Sequence, residues 1–222
     1  MKSASTTRQL LAVAGGASAL VLTAAGIASA STAIDHAGDS IQASATGDIF
    51  TPGVQIVSGA YALNCESLTA AGTVPTGNDS ANPDWVVNSG TGGIDVPIDS
   101  VAFTNCNLNG TPATIAVTNT ASSPWLINVN HDSGSPIGTL KIPAHGAVVT
   151  AGTCTIDVDQ ASEITNIPYS NSTGVASASN SGTINFTSSN TGSTPCPPSG
   201  TATLTGNLQF DPIVQVLDAP QP

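Results

Sequence analysis

Positive charge is nearly missing from this chain. Of its three Lys and Arg residues, Lys2 and Arg8 fall in the first eight positions and only Lys141 lies beyond them. All fourteen Asp and Glu lie after residue 30, so the segment from Ser31 onward carries a net charge of −13 with His neutral. A field of that sign repels phosphate backbones and anionic lipid, which argues against nucleic acid and membrane surfaces as partners. Aromatics are scarce too, with two Trp, two Tyr and four Phe. A core must therefore rest on Val, Ile, Leu and Ala, each of which stabilises less on burial than Phe or Trp. Heptads and amphipathic helical periodicity are missing after the first thirty residues, which excludes coiled coils and bundles.

Those first thirty residues read as a signal peptide. Lys2 and Arg8 form a positive n-region, Leu10 to Ile27 is apolar and rich in small residues, and Ala28-Ser29-Ala30 supplies an A-x-A cleavage site. The chain divides on this reading into a signal peptide (1–30), a flexible leader (31–39), a folded domain (40–216) and a C-terminal tail (217–222). Export to the extracellular space follows, with no membrane insertion after cleavage.

Cys65, Cys106, Cys154 and Cys196 are the only cysteines. In an exported chain an even number reads as two disulfides. Of the three connectivities, Cys65–Cys106 with Cys154–Cys196 is preferred because the two closed loops are then nearly equal. In the chain-entropy model each contributes roughly 4 kcal/mol. A zinc site lacks the C-x-x-C spacing it needs.

From Ser40 onward the chain reads as short strands broken by Gly, Pro, Asn and Ser. Pro112 to Val129 is the central stretch. Ile115 and Val117 alternate with polar or small residues, Asn119 to Pro124 is turn-forming, and Trp125, Ile127 and Val129 resume the alternation. This predicts a hairpin with Trp125 as a core anchor. Cys154 to Asp159 alternates most clearly, with Ile156 and Val158 facing one way and Asp157 and Asp159 the other. Thr183 to Thr187 is a further strand, and Ser188 to Gly200 a loop stapled by Cys196. Strands at intervals of about 8 to 12 residues predict an all-β fold, a single disulfide-stapled β-sandwich of Ig-like or jelly-roll-like type.

Candidate chemistry is thin. Gly38-Asp39-Ser40 echoes the G-D-S block of one class of serine esterases, but it borders the leader and lacks the preceding apolar strand. No G-x-S-x-G elbow follows residue 30. His131-Asp132 and His145 lie in turn-like surroundings and read as loop histidines. Asp157 and Asp159 project from one face of one strand, unlike carboxylates that flank a glycosidic bond. Glu66 and Glu163 have no evident partner. Asp95 with Asp99, or Asp157 with Asp159, offer oxygen ligands for calcium, but the twelve-residue loop motif is missing. No catalytic residue, metal ligand or cofactor is assigned.

The succession Ala62-Leu63-Asn64-Cys65, Val101-Ala102-Phe103-Thr104-Asn105-Cys106, Ser123-Pro124-Trp125-Leu126-Ile127-Asn128 and Gly152-Thr153-Cys154-Thr155-Ile156, with the late Cys196, resembles a set of secreted actinobacterial proteins. More distantly it is similar to the exported alkane oxidation activator (PraB-like) proteins, which also carry an L-N-C block and a later P-W. The likeness runs from about Ala43 to Phe210 and implies export and a β-rich fold. It transfers no catalytic residue. The sequence thus leads to a secreted, non-enzymatic structural or adhesive protein, with cell-envelope components or further copies of itself as partners. The alternative is an extracellular binding module for a carbohydrate or an apolar small molecule, with Trp85 in its irregular loop as the ligand-binding aromatic.

Overall fold

The computed structural model describes residues 32–48, 50–90, 92–132 and 134–218. The expected signal peptide and residues 219–222 lie outside the described residues. Within them every regular element is a strand. The first five are β1 (Thr32–Ile34), β2 (Ser40–Thr46), β3 (Val54–Ser58), β4 (Tyr61–Thr73) and β5 (Val86–Asn88). Then come β6 (Ile94–Leu108), β7 (Thr111–Val117), β8 (Trp125–Asp132), β9 (Ser135–Ile142) and β10 (Ala147–Ala151). The last are β11 (Cys154–Asp157), β12 (Ser162–Ser170), β13 (Val175–Asn190), β14 (Gly200–Asp211) and β15 (Val216–Asp218).

Several of the short strands are halves of one longer strand. β2 and β3 both run antiparallel to β4, with Thr46 opposite Ser67 and Val54 opposite Cys65. β3 therefore resumes where β2 stops, and the described residues between them, 47–48 and 50–53, leave the wall as an excursion. β7 and β8 share β6 in the same way, with Ala113 opposite Cys106 and Trp125 opposite Ile98. The expected hairpin between Ile115 and Ile127 does not form, because the polar run 118–124 interrupts a strand instead of reversing it. β9 with β10, and β11 with β12, are likewise collinear, bridged by 143–146 and 158–161.

The sheet closes on itself. Its circuit runs from β2/β3 to β4, β6, β7/β8, β9/β10, β11/β12, β13 and β14. β14 then pairs back with β2 (Gln209 opposite Ser44) and β3 (Gly206 opposite Val54). Neighbours in the circuit are neighbours in sequence and all pairs are antiparallel, so this is an up-and-down barrel and not the expected sandwich. The alternation that suggested a sandwich is equally that of a barrel wall. In β2, Ile41, Ala43 and Ala45 are buried inside, while Ser40, Gln42 and Ser44 face outward. Closure needs strong local twist, which bulges supply. The register of β12 slips between Ile164 and Ile167, where Asn166 takes a left-handed φ of 57°. Asn tolerates that region better than most non-glycine residues.

A small second sheet, β15-β1-β5, covers one end of the barrel. Residues 31–39, expected as a flexible leader, contain its central strand. Ile34 is fully buried, and Thr32 Oγ1 donates to Asn130 Oδ1 (2.9 Å) and accepts from the His131 amide. The expected tail boundary at 217 also falls inside a strand, β15. Both disulfides lie toward the opposite end. Cys65–Cys106 joins directly opposed residues of β4 and β6. Cys154–Cys196 fastens the loop between β13 and β14 to the start of β11. Ser188 Oγ on β13 donates to the Pro197 carbonyl of that loop, and Pro197 is buried against the barrel mouth.

Side chains fill the lumen, leaving apolar cavities of about 90, 70 and 50 Å³. Trp125, 4 % exposed, stands between the first two, and its indole N–H donates to the Gly146 carbonyl at 3.2 Å.

Candidate functional site

The residues singled out in the sequence do not form a single cluster, although His145 and Asp157 meet. Gly38, Asp39 and Ser40 lie where the chain enters β2, and His36 Nδ1 is 3.4 Å from Asp39 Oδ2. His131 is on β8 near the cap. His145 lies on the 143–146 excursion, with Nδ1 2.8 Å from Asp157 Oδ2. Asp159 follows β11 on the next excursion.

The proposed calcium pair is engaged separately. Asp95 Oδ1 accepts from Lys141 Nζ (3.0 Å) and Asn128 Nδ2 (2.8 Å), whereas Asp99 Oδ2 accepts from Thr73 Oγ1. Burial works against the charge on Asp95, but the Asn128 amide and the Lys141 ammonium outweigh it and hold its pKa below the usual carboxylate value. Glu66 Oε2 accepts from the Asn105 amide (2.7 Å). Trp85 is half-buried beside the cap sheet, its N–H bonded to the Asn82 carbonyl and its carbonyl to the Asn78 N–H.

At the capped end Tyr169 Oη donates to the Val214 carbonyl (2.7 Å), and the ring meets Phe210 edge to face with centroids 5.7 Å apart. Burial pushes the phenol up from 10.0 to about 12, and the charge of Asp35 adds to the effect. The folded protein therefore holds this proton where the unfolded chain has lost it. Stability from this group is complete below pH 10 and is lost as pH rises toward 12. Tyr169→Phe is expected to cost about 1 kcal/mol near neutral pH for the lost hydrogen bond. It should also flatten the alkaline limb of a denaturation series between pH 10 and about 12. An unchanged limb would remove Tyr169 from the account.

The lumen cavities are lined mostly by apolar side chains such as Ile56, Leu68, Ile127 and Leu204. The outer wall is different at one place. Where 47–53 leaves the barrel, it stands over β13 and β14 and encloses a groove of about 590 Å³. Phe50, Pro52, Gly53, Ser177, Ala178, Gly206 and Asn207 are among the residues that line it. The approach is close: a Cβ on Gly206 would sit 2.9 Å from the Gly53 carbonyl oxygen, so a side chain there would push the excursion outward.

Phe50 is 86 % exposed, far more than any other large apolar side chain among the described residues. The turn that presents it is well held. Asp48 Oδ1 accepts from the Phe50 and Thr51 amides, both at 2.7 Å, the Asp48 amide donates to the Thr51 carbonyl, and the Gly47 amide to the Glu66 carbonyl. The Thr51 and then the Phe50 N–H hold the Asp48 carboxyl below its ordinary range. The ordered turn is therefore favoured above that range and loses this support as pH falls through it. Sequence reasoning passed over Phe50. The available signal was an aromatic side chain inside Gly47-Asp48-Ile49-Phe50-Thr51-Pro52-Gly53, a run too rich in turn formers to carry it into a core.

No family model, curated protein or solved structure matches this chain.

Proposed function

We propose that this chain is an extracellular, non-enzymatic structural or adhesive protein that acts through its outer surface. The observation that carries the reading is the distribution of polar and apolar groups. Ile, Val, Leu and Ala fill a closed lumen, while Ser, Thr, Asn and Gln cover much of the wall. A lipid-embedded barrel has the opposite arrangement, with an apolar outer band and a polar interior. Two disulfides accord with an oxidising compartment. Chemistry on a partner must then take place at the outside of a rigid shell.

Fractionation of a producing culture tests this, with the protein expected in the medium or the envelope and its four cysteines unreactive to thiol reagents without reduction. Recovery in the cytosol with free thiols would overturn it. So would specific ester or glycoside hydrolysis abolished by replacing one serine or carboxylate.

A further inference from the structure

We infer that the groove beneath Phe50 is a binding site for a neutral carbohydrate chain. The inference rests on the adhesive reading above and names its ligand class. The groove's size falls within the range of about 300–1,000 Å³ typical of ligand sites. None of its lining residues is ionisable, although fourteen Asp and Glu are spread over the chain. A charged ligand therefore has no counter-ion in the groove.

What lines it instead are hydroxyl and carboxamide side chains, among them Thr46, Ser177 and Asn207, with Gln55 Nε2 already donating to Asn64 Oδ1. Each can both donate and accept, which matches the dual character of sugar hydroxyls. A hydrocarbon in the same place would cover these groups without satisfying them, at a cost in free energy. The remaining element is the aromatic ring. Sugar rings carry an apolar C–H face, and the face of Phe50 is a suitable platform for it. The Asp48 turn holds the Phe50 backbone before any ligand arrives, so ordering on binding falls on the side chain and not on the turn. Gly53, Ala178 and Gly206 put no large side chain into the groove.

The test is a titration of the ¹⁵N-labelled, disulfide-intact chain lacking residues 1–30 with neutral hexasaccharides of glucose, mannose and galactose. At least one should give saturable shifts confined to amides near 47–53, 177–179 and 205–207. Phe50→Ala should weaken that binding about tenfold or more while leaving the remaining spectrum unchanged, since the side chain is exposed. Phe50→Trp should retain binding, and Trp85→Ala should not alter it. The inference is overturned if none of the sugars shifts those amides at millimolar concentration, or if Phe50→Ala binds as well as the parent. It is also overturned if short alkanes or neutral peptides occupy the groove in place of the sugars. Fractionation reads the adhesive proposal separately, so an envelope protein that ignores the sugars refutes only this inference.

Discussion

Removing either disulfide by paired Cys→Ala substitution is expected to lower stability by about 4 kcal/mol. The sequence separations are 41 and 42 residues, so chain entropy alone predicts nearly equal losses. For a domain of this size each loss corresponds to roughly 10–15 °C in melting temperature. Removing both takes away about 8 kcal/mol, comparable with the whole stability of an ordinary domain.

The two variants should nonetheless differ locally. Cys65 and Cys106 sit on strands that remain paired from Leu63–Leu108 to Gly72–Ile98, so the wall there keeps its hydrogen bonds. Without Cys154–Cys196 the 191–199 loop is held by the burial of Pro197 and by hydrogen bonds such as Asn190 Nδ2 to the Thr194 carbonyl and Ser188 Oγ to the Pro197 carbonyl. Hydrogen exchange should therefore accelerate at 191–199 in the second variant and not in the first. Melting temperatures within about 3 °C of the parent, a loss under 1 kcal/mol at this size, would show that the bridges are not what holds this weakly aromatic core.

Trp125→Ala is the second large effect, expected at about 3–5 kcal/mol in a denaturant titration. Its ring divides two lumen cavities, so truncation merges them within a closed wall that has little room to collapse. The Gly146 carbonyl also loses its donor. Trp125→Phe separates the two contributions: it restores much of the volume and leaves about 1–3 kcal/mol for the unsatisfied carbonyl. A cost below 1 kcal/mol for the alanine variant would mean that the lumen closes readily around the gap.

Individual strands were legible because period-two alternation is a local property. The expected strand Cys154 to Asp159 forms as far as Asp157, Thr183 to Thr187 lies within another, and the pairing preferred on loop length is the one that forms. What alternation does not encode is the fate of a polar break. Asn119 to Pro124 and Pro52-Gly53 have the composition of hairpin turns, yet both lie on excursions after which the strand continues in the same direction. That distinction depends on whether β4 and β6 are long enough to accept two partners on one edge. Barrel and sandwich separate at an even more distant point, the return of β14 to β2 and β3. Thr32-Ala33-Ile34 is too short to display a period, which concealed the buried cap strand. The groove was hidden for the same reason as the excursions, since it exists only where 47–53 stands against residues 177–207.

Thr32 and Asp218, the first and last described residues, are paired across β1 and β15. A short linker joining them would make the polypeptide cyclic, and cutting it within 118–124 would then create a circular permutant. That permutant keeps every strand neighbour of the parent while exchanging which segment is synthesised first. It should reach the same native state, with its groove intact.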